Sequence, residues 1–331
     1  MPGVEMEEDP QMTEVHSNLS RTQERPSCPP ASVAPHVGKT RRNNAQAIGA
    51  GMAFMLSEQR NHHWSDNGSG GADVLTTAYV LARLGEVPYD LLSDAMRVQV
   101  RKALDWLIAA RSPNGGWGRA VGAECDAEST AWAVMALRRQ NCRVSADDLD
   151  ALRFCRNANG NSGALDIASV AASALAELDA ECSDRLASWL LAEGPASSDC
   201  SISTPLYACS AILELGPVKT SRSLLESVRD LVLQYEAESV LEQALLLRCL
   251  LQLGLQRAWW VADDLRRTQM PDGSWPAAVR AYPEPGQDAS ALDQDRISTT
   301  ITTISALVMA NSQPGLFFGS EGLMPRRLYG A

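Results

Sequence analysis

The chain has 331 residues, 45% of them hydrophobic and 21% charged, which is typical of a globular protein with a sizeable core. The net charge of −11 and the lack of a basic block argue against nucleic acid and against contact with anionic lipid. We predict no transmembrane helix and no secretory signal, because no long apolar run is present. Eight cysteines occur singly, which predicts free thiols, a cytoplasmic location and no cysteine-based zinc site.

Three regions follow from the distribution of polar and apolar residues. Residues 1–42 are polar and rich in proline, and we predict a disordered leader. In residues 43–312, apolar residues recur every three or four positions, which is the period of an α-helix. Residues 313–331 lack this period, and we predict an irregular C-terminal tail.

The helical region contains a repeat. Helices that begin at Asp73, Asp126 and Asp295 share an acid, two free positions, a hydroxyl residue and then an apolar run. Weaker copies begin at Asp166, Ser201 and Glu236. Self-similarity at intervals of this size is typical of stacked helical repeats.

A second helix is predicted before each copy of the repeat. The six segments are 45–60, 92–111, 146–156, 184–193, 220–235 and 258–268. A single helix pair would leave an apolar face in water, so neighbouring pairs must stack. We predict an all-α fold, an α/α toroid of about six inner and outer helix pairs closed into a barrel, with an open solenoid as the alternative.

The connections between the helices carry a further motif. Gln269, Gly273 and Trp275 form QxxxGxW, Arg111, Gly115 and Trp117 form a variant with arginine first, and the segment 59–64 is a shorter version. These motifs resemble those of squalene–hopene cyclases and the wider terpene cyclase and prenyltransferase superfamily. The resemblance covers most of residues 44–312 and implies the α/α toroid fold.

Each part of the motif has a structural interpretation. Glycine permits a tight turn, the glutamine amide can bind loop carbonyls, and tryptophan buries a large apolar area. We therefore expect Trp64, Trp117 and Trp275 to be packing residues rather than substrate contacts.

One inner helix begins with a sequence that resembles the acid motif DxDDTA of proton-initiated terpene cyclases. Here the sequence is Asp126-Ala-Glu128-Ser129-Thr-Ala. The resemblance implies that Glu128 donates a proton and that Asp126 tunes it. Ser129 stands where that family has a further aspartate, which helps to tune the acid.

Helix capping is the structural alternative for these acids. An acid at the first position of the repeat is typical of an N-cap. Asp126 is equally compatible with capping and with catalysis. Glu128 points more towards function, because most equivalent template positions are not acidic. The exception is Glu238, which is either a second cavity carboxylate or a solvated residue at a helix start.

Aromatic residues lie one helical turn after the acid position. Trp132 follows Glu128 on the same helix face, and Tyr79 and Tyr207 are its equivalents in other copies. If this face lines a cavity, their π-faces can stabilise a carbocation. Simple core packing is the alternative, and an aromatic content of only 5% favours a small or one-step substrate.

The residues provide no metal or cofactor motif. No DDxxD motif for diphosphate ionisation is present, and the zinc ligands of protein prenyltransferases are not matched. We therefore expect no metal, no cofactor and no nucleic acid. The expected partner is a small hydrophobic, isoprenoid-like substrate, and a homodimer or a partner protein is left open.

Two functional hypotheses follow. The first is a terpene cyclase-like enzyme of the class II type, an acid-initiated cyclase or isomerase of an isoprenoid-like substrate in the central cavity. The second is a non-catalytic or partner-dependent prenyl- or lipid-binding toroid related to protein prenyltransferase β subunits. An open lumen with Glu128 at its wall favours the first, and a lumen filled with bulky side chains favours the second.

Overall fold

The computed structural model describes residues 42–66, 72–158, 204–215, 222–277 and 296–313. Nearly all of the predicted leader and tail therefore lies outside the described residues. So do the template copy at Asp166, the predicted helix 184–193, and the capping positions Ser201 and Asp295.

The described residues form α-helices joined by short connections. The helices are α1 (Asn44–Ser57), α2 (Val74–Leu84), α3 (Asp94–Ala109), α4 (Ala127–Arg139), α5 (Ala146–Ala158), α6 (Thr204–Leu215), α7 (Arg222–Gln234), α8 (Val240–Gln252), α9 (Arg257–Thr268) and α10 (Arg296–Asn311). Within these residues the extended structure is limited to two isolated bridges. The all-α prediction is confirmed for the part of the chain that the structure describes. No helix in that part is both long and apolar enough to span a bilayer.

Two sets of helices differ in how much of their surface is buried. Nearly every residue of α2, α4, α8 and α10 is buried. By contrast, α7 buries only one stripe, Leu224, Val228 and Val232, and α3 likewise buries a single face. A helix that is buried all round lies inside, whereas an amphipathic helix lies at the surface. We call α2, α4, α6, α8 and α10 the inner helices and the others the outer helices.

The inner helices form a continuous series of neighbours in the order α4, α2, α10, α8, α6. The last helix, α10, packs against both α1 and α2, so the end of the described chain returns beside its beginning. Residues near the middle of the inner helices contact one another, such as Tyr79 and Thr302, and so do residues near their C-termini, such as Arg139 and Glu214. The inner helices therefore run in the same direction, and their N-termini share one end.

The three motif tryptophans attach the connections to the inner helices in the same way. Trp64, Trp117 and Trp275 are fully buried, as expected for packing residues. Each indole Nε1 donates to a carbonyl near the end of the preceding outer helix, at 2.6–2.8 Å. The backbone N–H of each tryptophan donates to a threonine hydroxyl on the next inner helix, namely that of Thr77, Thr130 or Thr300.

The structure corrects the register of the last two copies of the repeat. Thr77 and Thr130 lie four residues after Asp73 and Asp126, but Thr300 lies five after Asp295, so the sixth copy is displaced by one residue. In the fifth copy the N-cap is Ser239 rather than Glu236. Its hydroxyl and the Glu242 carboxylate form a capping box, which moves the helix start three residues along the chain.

The rest of the motif also has a visible structural role. Gln269 donates from Nε2 to the carbonyls of Ala47 and Gly273, both at 2.8 Å. Gly273 has a φ of +94°, and a Cβ there would lie 2.2 Å from the Ala50 carbonyl oxygen. Glycine is required because no other residue fits both the backbone angle and the space.

Candidate functional site

A cavity of about 290 Å³ lies at the N-terminal end of the inner helices. The helix starts of α2, α4 and α10 converge on it, together with two connections. Its described lining contains three carboxylates, one arginine, two aromatic rings and three smaller side chains: Asp66, Asp73, Glu128, Arg119, Tyr79, Trp132, Leu75, Thr76 and Ser298. Of the six site residues predicted from sequence, the structure brings Glu128, Trp132 and Tyr79 to this cavity.

Glu128 occupies the first turn of α4 and pairs with a residue that sequence reasoning did not identify. Its Oε2 accepts a hydrogen bond from Nη2 of Arg119 at 3.1 Å. The side chain of Glu128 is 29% exposed and that of Arg119 is 68% exposed. Exposed pairs of this kind contribute about 0–1 kcal/mol, so the guanidinium can leave the carboxylate at little cost.

Arg119 is positioned by its backbone. Its carbonyl oxygen accepts a hydrogen bond from the N–H of Val74 at 3.0 Å, at the start of α2. The next residue, Ala120, forms an isolated bridge with Asp73. The backbone contact holds Arg119 between α2 and α4, while most of its side chain is exposed.

Asp126 caps its own helix. Its carboxylate accepts the N–H of Ser129 at 2.8 Å, the N-cap geometry that the sequence left open beside a catalytic role. Asp126 is half-buried and is not among the described cavity residues. Ser129 is fully buried, and its hydroxyl has no hydrogen-bond partner in the structure.

Asp66 and Asp73 are the other two carboxylates of the cavity. Asp73 is the N-cap of α2, as expected, and accepts both the N–H and the hydroxyl of Thr76. Asp66, from the first connection, accepts the N–H of Ile297 at 2.7 Å and the hydroxyl of Ser298 at 2.5 Å. It thereby caps α10 from 231 residues away. Both carboxylates therefore accept hydrogen bonds from the N-terminus of an inner helix.

An aromatic layer forms the floor of the cavity. Tyr79 and Trp132 pack edge to face, with ring centroids 4.5 Å apart. The Tyr79 hydroxyl is hydrogen-bonded to the hydroxyl of Thr302 and lies 3.3 Å from that of Tyr207. Tyr207 therefore joins the floor through Tyr79, although it is not among the described residues that line the cavity.

An arginine lies directly below this floor. The guanidinium carbon of Arg83 lies 5.2 Å from the Tyr79 ring centre and 5.3 Å from that of Trp132. This spacing is typical of cation–π contacts. Both rings are therefore already in contact with a cation before any ligand binds.

Arg83 belongs to a cluster of charged residues at the opposite end of the inner helices. Glu86 accepts hydrogen bonds from Arg83, Arg139 and Arg248, and Glu214 pairs with Arg139 and Arg248. Arg248 is almost fully buried and the Glu86 side chain is only 16% exposed. Although burial by itself raises the pKa of Glu86, Arg248, Arg83 and Arg139 hold this pKa well below its ordinary range.

Glu238, predicted as a second cavity carboxylate, has a different position. It is exposed, it precedes α8, and it is not among the described lining residues of the cavity. Its N–H donates to Oε2 of Glu242 at 2.6 Å, so its backbone belongs to the cap of α8. We leave Glu238 out of the proposed site.

Sequence reasoning missed Asp66, Arg119 and the Glu86 cluster, although part of the cluster carries a signal. Arg83 and Arg248 are single arginines inside otherwise apolar helix segments, and a buried arginine requires an acidic partner. Asp66 and Arg119 lie in polar connections, where nothing in the sequence distinguishes them. No group of three or more metal-ligating side chains occurs within the described ranges.

The comparisons with known proteins agree on the fold. No protein-family profile and no curated protein sequence matches the chain. The type II terpene cyclase MstE from Scytonema, solved without ligand, matches with a TM-score of 0.61 and 19% identity over 81% of this chain and 98% of that one. An aspartate-to-asparagine variant of MstE, solved with its substrate geranylgeranyl dihydroxybenzoate, matches with a TM-score of 0.61 and 20% identity over 81% and 97%. A protein from Actinoplanes matches with a TM-score of 0.58 and 20% identity over 81% and 100%. The chain therefore has a terpene cyclase-like fold.

Proposed function

We propose that this protein is a class II type terpene cyclase-like enzyme that protonates an isoprenoid-like substrate in the cavity at the inner-helix N-termini. Glu128 is the proton donor, and Tyr79 and Trp132 stabilise the cation that forms. The observation that carries the proposal is a carboxylic acid at the wall of a cavity whose floor consists of two aromatic rings. The likeness in fold to a cyclase solved with a geranylgeranyl-bearing substrate supports it.

Glu128 is the best of the three cavity carboxylates for this role. Asp66 and Asp73 are each engaged by backbone N–H groups of the helices that they cap. Glu128 instead pairs with an exposed guanidinium that can move away. A substrate that fills the cavity excludes water from Glu128, and desolvation favours the neutral acid that alkene protonation needs.

The chemical step balances without a metal or a cofactor. The O–H bond of neutral Glu128 breaks and a C–H bond forms on one alkene carbon, which leaves positive charge on the other carbon. Attack by a second alkene closes a ring and moves the positive charge to a new carbon, and loss of a proton from a neighbouring carbon then gives the neutral cyclic product. Without ring closure, the same loss of a neighbouring proton gives an isomer. That lost proton, or one from water, restores the protonated state of Glu128. Tyr79 and Trp132 present their cavity-facing edges and faces to the cation during this step.

The cavity dimensions favour a short substrate. Ligand cavities generally measure about 300–1,000 Å³, and the value of about 290 Å³ lies at the lower end. Arg83 and the ion cluster block the path beyond Tyr79 and Trp132. We therefore propose a small isoprenoid-like group that undergoes one ring closure or one isomerisation.

The proposal includes the architecture around the site. We propose that the helix pairs close into an α/α toroid over residues 43–312, with residues 1–42 and 313–331 as leader and tail, and that the enzyme acts in the cytoplasm. The packing of α10 against α1 and α2 supports closure.

One observation favours the alternative, a toroid that binds a prenyl or lipid group without chemistry. The inner helices are joined below the cavity by side chains and ion pairs, including Tyr79, Trp132, Arg83 and Arg248, so that this depth is filled rather than open. In that case the cavity above the aromatic floor holds a prenyl end group, and Glu128 has no catalytic role.

The test is product formation from a panel of isoprenyl substrates by the wild type and by Glu128→Gln, which keeps the shape of the side chain and removes the proton. We expect the product to fall by about 100- to 10,000-fold, the range for loss of a general acid. Glu226→Gln is the matched control, because Glu226 also pairs with an exposed arginine but lies on α7. It should keep wild-type activity.

Equal activity in the wild type and Glu128→Gln would exclude Glu128 as the acid. In that case Asp73→Asn tests the most buried of the three cavity carboxylates. Binding of prenyl compounds by both proteins without any product would instead favour the binding module.

A further inference from the structure

Arg119 is the one cationic side chain among the described residues that line the cavity. Its backbone is tied to the start of α2, and its side chain is 68% exposed at the cavity rim. The carboxylates around it have different kinds of hydrogen-bond donor. Asp66 and Asp73 are bound to helix N–H groups, whereas Glu128 is held to Arg119 at 3.1 Å.

This arrangement places the proposed acid in the wrong form when the cavity is empty. A guanidinium at hydrogen-bond distance stabilises a carboxylate, whereas an alkene is protonated by the neutral acid. Activity therefore requires that Arg119 leave Glu128 when the substrate binds. A competing anion is the simplest alternative partner for Arg119, because a guanidinium binds carboxylate and phosphate groups with two parallel hydrogen bonds.

We propose that Arg119 binds an anionic group of the substrate, a carboxylate or a phosphate, and that its transfer to this group removes a positive charge from beside Glu128, which favours the uptake of a proton from water. The effect on Glu128 rests on the proposed function, in which Glu128 is the acid. The substrate class is then an isoprenoid with an anionic head group. The head group lies at the exposed rim beside Arg119, and the hydrocarbon chain enters between Leu75, Tyr79 and Trp132. Arg119 is thus a binding and positioning residue.

Binding is measured first, because it does not depend on turnover. The probes are geranic acid, geranyl phosphate and geraniol, which share one hydrocarbon chain, and calorimetry gives their Kd. We expect the wild type to bind at least one of the two anions about 10- to 100-fold more tightly than the alcohol, as for a charge-assisted hydrogen bond. The more tightly bound anion identifies the head group as carboxylate or phosphate.

Three variants separate recognition from a general structural effect. Arg119→Gln should lose the preference for the anion and bind geraniol unchanged. Arg222→Gln, which breaks the exposed Arg222–Glu226 pair on α7, should bind all probes like the wild type. Glu128→Gln should bind the anion several-fold more tightly than the wild type, because Arg119 no longer has to leave a carboxylate.

Equal anion affinity in Arg119→Gln and the wild type would overturn the proposal, as would a wild type that does not distinguish the anions from the alcohol. Unchanged anion affinity in Glu128→Gln would overturn the competition between the acid and the head group. These results are independent of product formation, so they stand whether or not Glu128 proves to be the acid. Once a substrate is known, Arg119→Gln should raise KM for the anionic substrate much more than it lowers kcat.

Discussion

The two ends of the inner helices hold similar charged side chains in opposite settings. At the N-terminal end, Glu128 and Arg119 form one exposed pair beside an open cavity. At the C-terminal end, Glu86 is surrounded by three arginines, of which Arg248 is almost fully buried. The two ends differ in how easily their ion pairs separate, and exposure determines this. Water weakens an exposed pair and can solvate each partner alone, whereas a buried charge has no partner other than its counter-ion. One end is therefore suited to exchange partners with a ligand and the other to hold the helices together.

The largest expected effect comes from removing the central anion of the buried end. Glu86→Gln leaves Arg83 without its acidic partner and weakens the contacts of Arg139 and Arg248. We expect the free energy of unfolding to fall by about 3–5 kcal/mol, the range for a broken buried pair. Urea denaturation measures it, with Glu226→Gln at the exposed α7 pair as the control. A loss below about 1 kcal/mol would show that the two ends do not differ in the way proposed.

The pH dependence of stability probes the same carboxylate. The folded-state pKa of Glu86 is depressed from a reference value of 4.5, so its contribution is complete above pH 4.5 and is lost as the pH falls below it. We expect a loss of about 1.4 kcal/mol for each pH unit below that value from this group alone. Urea denaturation from pH 7 to pH 3 should show a steeper decline for the wild type than for Glu86→Gln. Parallel declines would contradict the role assigned to the three arginines.

A smaller effect distinguishes capping from catalysis at Asp126. Asp126→Ala removes the acceptor for the Ser129 N–H and should cost about 1 kcal/mol of stability. Asp126→Asn keeps the cap and should change stability by only a few tenths of that amount. Thermal unfolding compares the two variants, and product formation is assayed beside it. A large loss of activity in Asp126→Asn with normal stability would indicate that Asp126 has a catalytic role in addition to capping.

The smallest stability effect is expected at the exposed pair. Arg119→Gln should change the free energy of unfolding by no more than about 1 kcal/mol, because both partners are partly in water. The same substitution is expected to abolish selective binding of anions. Strong binding effects with little change in stability at Arg119, and the reverse at Glu86, would establish the contrast between the two ends.

Local patterns predicted much of this architecture. The helix starts at Asp73 and Asp126 followed from capping chemistry between neighbouring residues, and the burial of Trp64, Trp117 and Trp275 followed from the motif. The sequence also selected Glu128, Trp132 and Tyr79, which prove to share one cavity. Their common position in the repeat suffices for this, since equivalent positions of parallel inner helices lie at the same depth.

Other features depended on contacts between distant parts of the chain. The template register in the last copy was wrong by one residue, because α10 is capped by Asp66 and anchored by Trp275 through Thr300. No local pattern specifies a cap supplied from 231 residues away. The placement of Glu238 outside the cavity has a similar cause, because the α8 cap formed at Ser239 and moved the helix start.

The sequence by itself predicted the α-helical fold, the buried tryptophans and Glu128 as the candidate acid, because these predictions depend on periodicity and on motifs of residues a few positions apart. Only the tertiary structure decided that Glu128 pairs with Arg119, that Asp66 and Asp73 share its cavity, and that Glu86 gathers Arg83, Arg139 and Arg248. Charges interact through space, and their strength depends on burial. Both the distance and the burial exist only after the inner helices have packed side by side.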